Sequence, residues 1–341
     1  MSLTYLFRSP GTGHSIEELF GHIRQAVARQ TDAPVATLHL PHISRGLRSV
    51  WQNCRFVARQ RLSGLVHITG DVHYVALALP GRRTILTIHD CILLEKNRHR
   101  PLRYALFWWL WYYAPIRRAA VVTTVSDKTR QDLIRLVGRL AKKVVVVPNA
   151  CHPDFRPQPA PYRTHCPHIL QIGTAPHKNL PRLIDALTGL PCQLTIIGPL
   201  LPDLMAQLRQ HHIRYEAYEH LSRAAIVARY AHADLVSFVS TYEGFGMPIL
   251  EAQATGRPVL TSQQSPMTDV GGPDGACYVD PYDPAAIRAA IERIGHDDAY
   301  RQGLIEAGFQ NVVRYTPDHI AGLYARLYAS LQPTQPAYAP H

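Results

Sequence analysis

Short apolar runs alternate along the chain with longer stretches whose apolar positions recur at helical spacing. In the first half these runs are rich in β-branched residues, as is typical of buried parallel strands. We predict strands there at residues 4–7, 35–40, 65–69, 84–88, 121–124 and 144–147. Amphipathic stretches between the runs predict helices, such as those at residues 16–29 and 128–140.

A proline-rich segment interrupts this pattern near the middle of the chain. Residues 152–162 carry four prolines among eleven residues, which neither a helix nor a central strand tolerates, so we interpret them as a linker between domains. The second half then returns to the same scheme. Its predicted strands occupy residues 169–172, 194–197, 235–239, 259–261 and 277–279, and its predicted helices occupy residues 181–187, 202–211, 223–230, 248–254 and 284–294.

Two successive patterns of this kind predict an α/β protein with two doubly wound parallel sheets, each forming a Rossmann-like domain. We assign residues 1–155 to the first domain and residues 156–316 to the second. Ligands of such domains bind beyond the carboxyl ends of the strands, so we expect the two domains to face a central cleft. A last helix is predicted at residues 317–331, and the proline-rich tail at residues 332–341 is expected to fray.

Composition narrows the class of protein. The 341 residues are 46% hydrophobic and 18% charged, which is typical of a globular chain and excludes a disordered, fibrous or coiled-coil protein. No apolar run approaches the roughly 18 residues that would span a bilayer, and no signal peptide opens the chain. The six cysteines have no CxxC spacing, so we expect no disulfide framework or zinc ribbon and a reducing, cytoplasmic location.

The net charge of +11 is unevenly distributed along the chain. Residues 1–150 hold 22 basic against 8 acidic residues, whereas residues 151–341 hold 14 against 17. A basic first half indicates an anionic partner such as nucleic acid, a phospholipid surface or a phosphorylated acceptor. The alternative is a solvated basic face without a partner.

The segment Glu-Gly-Phe-Gly-Met-Pro-Ile-Leu-Glu, residues 243–251, is the most specific pattern in the chain. It follows a predicted strand and leads into a predicted helix, whose N-terminus favours a phosphate. Gly244 and Gly246 allow main-chain N–H groups to approach a ligand closely. Glu243 is placed to bind sugar hydroxyls, and Glu251 to accept hydrogen bonds from a ribose diol. The alternative is a turn whose glycines serve packing alone.

A second candidate loop, Gly-Thr-Ala-Pro-His-Lys-Asn at residues 173–179, joins the first strand of the second half to its helix. Lys178 is expected to face the same ligand as Glu243 and to stabilise a diphosphate. A cation at a helix start is otherwise unfavourable unless an anion binds there. The alternative is a solvated lysine.

The first half offers candidates on two loops. His89 and Asp90 end a predicted strand, where side chains point into the crevice rather than the core. The loop after the first strand contains Gly11, Gly13 and His14. It lacks the third glycine of the dinucleotide fingerprint, which disfavours a nicotinamide cofactor.

The aromatic run Phe-Trp-Trp-Leu-Trp-Tyr-Tyr at residues 107–113 lies between Arg103 and the pair Arg117 and Arg118. Tryptophan and tyrosine beside arginine suit a lipid headgroup region, so one interpretation is a membrane-contact helix. The other interpretation is a helix buried in the core of the first domain. The sequence leaves both open.

Residues 243–251, 173–179, 87–90 and 147–149 together resemble the retaining glycosyltransferases of family 4, which have the two-domain GT-B fold. The resemblance covers about residues 1–330 and is more specific in the second half. It implies that the second domain binds a nucleotide-sugar without a metal and that the last helix crosses back onto the first domain.

The resemblance also implies roles for single residues. Glu243 would contact the transferred sugar, Lys178 would stabilise the departing diphosphate, and His89 would lie beside the sugar. Glu251 would hold the ribose. The remaining donor-binding residues would be Gly244, Phe245, Gly246, Gly173, Thr174, His177 and Asn179, and the acceptor side would comprise Gly11, Gly13, His14 and Asp90. One departure is His177, because relatives often have arginine before the lysine.

The sequence therefore predicts a retaining, metal-independent hexosyltransferase. It would move a mannose- or glucose-type sugar from a UDP- or GDP-sugar to a saccharide or lipid-linked acceptor in the synthesis of cell-surface polysaccharide. We expect no cofactor and no nucleic-acid partner, with peripheral contact to the anionic inner membrane as an additional interaction. The alternatives are a nucleotide-sugar epimerase on the same fold and a non-catalytic basic binding protein.

Overall fold

The computed structural model describes residues 2–12 and 15–331. The predictions for Gly13, His14 and the tail at residues 332–341 therefore lie outside the described residues. The described residues form two compact units, one within Met1–Ala150 and Pro317–His341 and the other Cys151–Thr316.

The proline-rich segment at residues 152–162 belongs to the second unit rather than forming a separate linker. Phe155 is buried, and its ring lies 5.1 Å from that of Tyr230 in a T-shaped arrangement. The Gln158 N–H also donates to the Thr255 carbonyl at 3.1 Å. Because these contacts hold the segment on the second unit, the division falls after Ala150, ahead of the predicted position at residue 155.

The first unit contains a parallel sheet of six strands in the order β2-β1-β3-β4-β5-β6. The strands are β1 (Leu3–Phe7), β2 (Val35–His39), β3 (Leu65–Ile68), β4 (Thr84–Ile88), β5 (Val121–Thr124) and β6 (Val144–Val146). The α-helices are α1 (Ser15–Gln30), α2 (Leu47–Arg59), α3 (Ile92–Glu95), α4 (Pro101–Phe107), α5 (Ala114–Arg118) and α6 (Asp127–Val137). Strands β1, β3 and β4 are buried throughout, as expected for a sheet covered on both faces.

The second unit contains another six-stranded parallel sheet, in the order β12-β11-β10-β7-β8-β9. Its strands are β7 (His168–Ile172), β8 (Gln193–Ile197), β9 (Arg214–Tyr218), β10 (Leu235–Phe238), β11 (Val259–Ser262) and β12 (Cys277–Val279). Its helices are α7 (Leu180–Leu187), α8 (Pro202–Gln210), α9 (Arg223–His232), α10 (Met247–Thr255), α11 (Met267–Gly271), α12 (Pro284–His296) and α13 (Asp298–Val312).

The strand order of the second sheet creates a topological switch point between β7 and β10. From β7 the chain moves outward through β8 to β9, and it then crosses over to β10 on the other side of β7. This is a doubly wound strand order, in which the loops after the two central strands diverge and leave a crevice. In register, Leu235 of β10 pairs with Ile169 of β7. The loops that follow these strands therefore begin side by side.

The last helix, α14 (Pro317–Ser330), packs against α1 in the first unit. Ile320, Ala321 and Tyr324 are buried in a core that they share with Phe20 and Ile23 of α1.

A chain of buried hydrogen bonds joins α14 to the central strands of the first sheet. His67 Nδ1 lies 2.7 Å from the Tyr328 hydroxyl, which lies 3.0 Å from that of Tyr5. His67 Nε2 lies 2.7 Å from Thr87 Oγ1, which lies 2.7 Å from Thr123 Oγ1. Burial lowers the pKa of His67 to about 3, so this histidine is neutral at neutral pH.

The aromatic run at residues 107–113 is partly core and partly surface. It forms a π-helical turn, Trp108–Tyr113, between α4 and α5. Trp111 and Tyr112 are buried, and the Trp111 indole N–H donates to the Asp71 carbonyl at 2.7 Å. Exposed side chains on the same continuous helix are Leu102, Leu106 and Trp109. Across residues 2–12 and 15–331, no helix is both long and apolar enough to span a bilayer.

Candidate functional site

Lys178 and Glu243 meet at the switch point of the second sheet. Lys178 follows β7 and Glu243 follows β10, and Lys178 Nζ lies 2.6 Å from Glu243 Oε1. The side chains are only 18% and 13% exposed. Lys178 Nζ also lies 4.6 Å from the centre of the Phe238 ring, at the end of β10. The two candidate residues from separate loops are therefore brought into one ion pair.

The loop after β7 is shaped to hold Lys178 against that crevice. Gly173 has φ +86°, and a Cβ there would lie 3.0 Å from the Lys178 side chain, so this position requires glycine. The Gln171 amide donates to the carbonyls of Gly173 and Lys178, at 3.2 and 3.1 Å. Thr174 Oγ1 donates to the Pro199 carbonyl at 2.5 Å, which ties the loop to the segment after β8.

Asn179 holds the start of α7 in place. It is 1% exposed and has a left-handed backbone, with φ +62°. Its amide donates to the carbonyls of Val239 and Pro281, at 3.0 and 2.6 Å, and its oxygen accepts from Arg182 Nη1 at 2.8 Å. These contacts position the loop that carries Lys178, and direct contact between Asn179 and a ligand stays a prediction.

The two loops are also linked through their main chains. The Thr241 N–H donates to the His177 carbonyl at 2.8 Å, and Thr241 Oγ1 lies 3.3 Å from the same oxygen. The Gln264 amide donates to the Thr241 carbonyl at 2.9 Å. Sequence reasoning missed Thr241 and Gln264 because neither belongs to a recognisable motif.

Ser240 is a further site residue that the sequence did not single out. It lies two residues after the end of β10, and among the described residues its buried hydroxyl is one of the few polar side-chain atoms without a hydrogen-bond partner. A polar residue at the carboxyl end of a central strand was the available signal.

Glu251 is held within α10 by residues of α9. Its Oε2 accepts a hydrogen bond from the Tyr230 hydroxyl at 2.5 Å, and its Oε1 lies 3.8 Å from Arg223 Nη1. Burial, together with the nearby Glu251 carboxylate, raises the pKa of Tyr230 well above its usual value. Sequence reasoning missed Tyr230 and Arg223, because no spacing rule links them to a carboxylate on the next helix.

The turn between Glu243 and α10 has the backbone geometry that its glycines suggested. Gly246 has φ +124°, and a Cβ there would lie 3.2 Å from Ile249 Cδ1. Phe245 is buried, with its ring 6.1 Å from that of Tyr315. Phe245 therefore anchors the turn, and the binding of a ligand by the main chain of Gly244, Phe245 and Gly246 stays a prediction.

The candidates of the first unit lie at the corresponding edge of the first sheet. His89 directly follows β4, is half-buried, and has Nε2 2.8 Å from the Thr69 carbonyl. Asp90 Oδ1 accepts from the Ile92 N–H at 2.9 Å, and burial raises the pKa of this carboxyl group. Gly11 is exposed, with φ +82°.

Among the described residues, the cysteines and the potential metal ligands form no further candidate site. All six cysteines are free thiols. No group of three or more histidine, cysteine, aspartate or glutamate side chains within residues 2–12 and 15–331 is arranged to hold a metal ion.

The fold and the site together define a protein with two Rossmann-like units, in which the second unit presents a lysine and a glycine-containing turn at its switch point. Residues 7–155 match the family described as "Glycosyltransferase Family 4", and residues 163–311 match "Glycosyl transferases group 1". Because the two matches together span most of the chain, the protein belongs to the group 1/family 4 glycosyltransferases. The predicted family and the α/β fold class of GT-B type are thus confirmed.

Relatives with assigned functions include several mannosyltransferases. The chain is 31% identical over 253 residues to the O-antigen chain mannosyltransferase B of Escherichia coli, covering 66% of this chain and 65% of that protein. It is 26% identical over 243 residues to the MMP alpha-(1->4)-mannosyltransferase of Mycolicibacterium hassiacum, covering 64% and 58%. The chain thus matches less than two thirds of the length of each of these relatives.

Solved structures share the fold at low sequence identity. Sucrose-phosphate synthase from Thermosynechococcus elongatus aligns with a TM-score of 0.78 at 18% identity, covering 97% of this chain and 99% of that one. Anabaena HepE in complex with UDP-glucose aligns with a TM-score of 0.75 at 16% identity, covering 97% and 100%. At these identities the likeness concerns the fold.

Proposed function

We propose that the protein is a retaining hexosyltransferase that transfers a mannose- or glucose-type sugar from a UDP- or GDP-sugar to a saccharide or lipid-linked acceptor. The observation that carries this proposal is the largely buried Lys178–Glu243 pair at the switch point of the second unit. Mannosyltransferases among the relatives support the sugar type, and an O-antigen chain enzyme among them supports a role in cell-surface polysaccharide synthesis.

The proposed catalysis is electrostatic and positional. Breaking the bond between the anomeric carbon and the diphosphate leaves negative charge on the diphosphate, which Lys178 is proposed to stabilise. Glu243 and His89 are proposed to orient the transferred sugar, and Glu251 to accept hydrogen bonds from the ribose. Loss of one such electrostatic stabiliser typically costs about 10² to 10³ in rate. No metal is needed in this proposal, because the lysine and main-chain N–H groups supply the positive charge.

The acceptor is proposed to lie at the inner membrane face. The first unit contains the strongly basic part of the sequence, and anionic lipid attracts basic segments by about 1 kcal/mol for each lysine or arginine near the surface. Peripheral contact with such a membrane would bring the enzyme to a lipid-linked acceptor.

A calorimetric titration tests the donor site. UDP and GDP are titrated in EDTA into the wild type and into Glu251→Ala. We expect one nucleotide to bind and the variant to bind it more weakly, because the proposed ribose contact is lost. Absence of binding of both nucleotides by the wild type would contradict the proposed donor class, and unchanged binding by the variant would contradict the role of Glu251.

A turnover assay tests the reaction. The labelled donor is incubated with and without acceptor oligosaccharides, and the anomeric configuration of the product is read by NMR. We expect transfer with retained configuration and no conversion of the donor without an acceptor. Conversion of the donor alone would instead indicate an epimerase, and full turnover by Lys178→Ala would refute the proposed site.

A further inference from the structure

Exposed apolar side chains of the first unit are concentrated on three neighbouring segments. Helix α2 and the π-helical turn after α4 both pack against the 3₁₀-helical segment His73–Ala78. The Tyr74 hydroxyl of this segment accepts a hydrogen bond from the Asn53 amide of α2 at 2.8 Å, and its ring centre lies 4.9 Å from that of Trp111 in the turn, with the ring planes tilted by 60°. The exposed large apolar residues on or next to these segments are Ile43, Leu47, Trp51, Leu77, Leu102, Leu106 and Trp109.

The concentration is specific to this part of the described chain. Among the described residues of the first unit, only two further large apolar side chains are comparably exposed, Ile134 and Val145, and they lie on other elements. Single exposed apolar residues are ordinary on a protein surface, whereas a group on adjoining elements marks an interaction surface.

Helix α2 is divided lengthwise into a buried and an exposed side. Val50, Asn53 and Val57 are its buried residues. At about 100° per residue, positions 47, 51, 55, 48 and 59 fall within roughly one third of the circumference, opposite the buried side. The residues at these exposed positions are Leu47, Trp51, Arg55, Arg48 and Arg59. Apolar and basic side chains therefore lie next to one another on the outer side.

The stretches around α2 and α4 carry an excess of positive charge, whereas residues 71–95 between them contain Asp71, Asp90 and Glu95. Residues 33–70 contain five arginines and residues 96–126 contain six lysines and arginines, and neither stretch contains an aspartate or glutamate. The Arg55 guanidinium lies 5.2 Å from the centre of the Trp51 ring. An exposed tryptophan beside arginines suits the boundary between lipid headgroups and acyl chains, where the ring is half-buried and the guanidinium meets phosphates.

We propose that α2 and α4 together form the surface by which the first unit binds an anionic phospholipid bilayer. We call this the α2/α4 surface, defined by Leu47, Trp51, Leu102, Leu106 and Trp109 with the arginines around them. Leu47, Trp51 and Trp109 enter the headgroup region, and Arg48, Arg55 and Arg103 contact lipid phosphates. The inference deepens the membrane contact of the proposed function, and it rests on that function for the reason why a bilayer is the partner.

Charge and chemistry favour a bilayer over two other partners. A second copy of the chain would bring the same arginine-rich surfaces face to face, since a two-fold interface pairs a patch with itself, and like charges would repel. A nucleic acid would satisfy the arginines but would leave the exposed leucines without a partner. Of these three partners, an anionic lipid surface is the one that contacts both kinds of side chain favourably.

Vesicle co-sedimentation of the full chain tests the surface. The vesicles contain phosphatidylcholine alone or with about one third phosphatidylglycerol. We expect binding to the anionic vesicles that weakens with salt, and little binding to the neutral ones. At about 1 kcal/mol for each arginine, Arg48→Gln with Arg55→Gln should weaken binding roughly thirtyfold.

Matched apolar variants measure the contributions of α2 and α4 to vesicle binding separately. Leu47→Gln with Trp51→Gln and Leu102→Gln with Trp109→Gln are each expected to weaken binding at least tenfold, at about 1.5–3 kcal/mol for each large apolar side chain fully buried. The control is Leu201→Gln in the second unit, which is 59% exposed and should bind like the wild type. Circular dichroism confirms that each variant is folded, whether or not the chain binds a nucleotide.

Fluorescence gives an independent measurement. Quenching of tryptophan by brominated lipid should fall in Trp51→Phe and in Trp109→Phe. A loss confined to one helix overturns the two-helix surface, as does equal binding to neutral vesicles. Dimerisation without lipid that the arginine variants abolish, or tighter binding to duplex DNA than to anionic vesicles, also overturns it.

The vesicle measurement needs no donor, so its outcome is separate from that of the proposed function. Vesicle binding without UDP or GDP binding would leave the surface standing and contradict the transferase. Nucleotide binding without vesicle binding would contradict the α2/α4 surface and leave the proposed transferase uncontradicted.

Discussion

Glu243→Gln should have opposite effects on nucleotide binding and on turnover. In the structure, Lys178 Nζ bonds to Glu243 Oε1 at 2.6 Å, with both side chains largely buried. If Lys178 stabilises a diphosphate as proposed, we expect it to shift from this carboxylate towards a phosphate. The glutamine keeps the size and an accepting oxygen but removes the charge, so it should hold Lys178 less firmly.

The size of the effect follows from the strengths of the two hydrogen bonds. A hydrogen bond to a charged group contributes about 1.5–3 kcal/mol and a bond between neutral groups about 0.5–1.5 kcal/mol. Replacing the carboxylate therefore weakens the hydrogen bond between residue 243 and Lys178 by about 1 kcal/mol. This corresponds to roughly fivefold tighter binding of the free nucleoside diphosphate. Turnover should nevertheless fall by about 10² to 10³, because the variant lacks the charge that is proposed to orient the sugar.

Calorimetric titration with UDP and GDP, combined with donor turnover, measures both effects. Lys178→Met is the partner variant, and it should weaken nucleotide binding at least tenfold, since a charge-assisted contact of at least about 1.5 kcal/mol is lost. Asp132→Asn is a matched control, because Lys128 and Asp132 in the first unit form a 2.5 Å pair with 20% and 18% exposure. If Glu243→Gln weakened nucleotide binding as much as Lys178→Met, the exchange of Lys178 between carboxylate and diphosphate would be refuted.

Two further predictions concern buried hydrogen bonds. Tyr230→Phe removes the 2.5 Å bond to Glu251 and should weaken nucleotide binding about tenfold in calorimetry, whereas the control Tyr215→Phe should have no effect. His67 should make the free energy of unfolding of the first unit, measured in urea, depend on pH. Its contribution should fall by at most about 1.4 kcal/mol for each unit by which the pH is lowered. Its pKa is about 3 in the folded chain and about 6.5 when unfolded, so the unfolded chain binds more protons between these values and stability is lost as pH falls from 6.5 towards 3. His67→Gln should flatten this dependence, and an unchanged slope would contradict the buried, neutral histidine.

Most regular elements could be predicted from the sequence because burial leaves a clear pattern. The strands at residues 84–88, 121–124 and 277–279 coincide with β4, β5 and β12, and each follows from a short run of β-branched or apolar residues. The loops that carry Lys178 and Glu243 were predicted for the same reason, since each follows a buried strand. Proline and glycine then marked where the next helix begins.

Strand β9 escaped prediction because it lies at the edge of its sheet. Its sequence is Arg-Tyr-Glu-Ala-Tyr, and only Tyr215 and Tyr218 are partly buried while the residues between them face solvent. An edge strand has one neighbour and needs no continuous apolar run, so its pattern resembles that of a loop.

The partners of the site residues could not be predicted, because they depend on which strands become neighbours. Tyr230 on α9 and Glu251 on α10 are brought together only when α9 packs against α10. Similarly, Asn179 reaches the Val239 carbonyl because β7 lies beside β10, and it also reaches the Pro281 carbonyl in the loop after β12. No local spacing rule contains such information.

The strand order explains why Lys178 and Glu243 form a pair at all. Sixty-five residues separate them, and they meet because the sheet places β7 and β10 side by side. In a sheet ordered simply along the chain, β8 and β9 would separate the two loops, and the lysine could not reach the carboxylate. The doubly wound order therefore builds the site, and the glycines of each loop adapt the backbone to a position that the topology has already set.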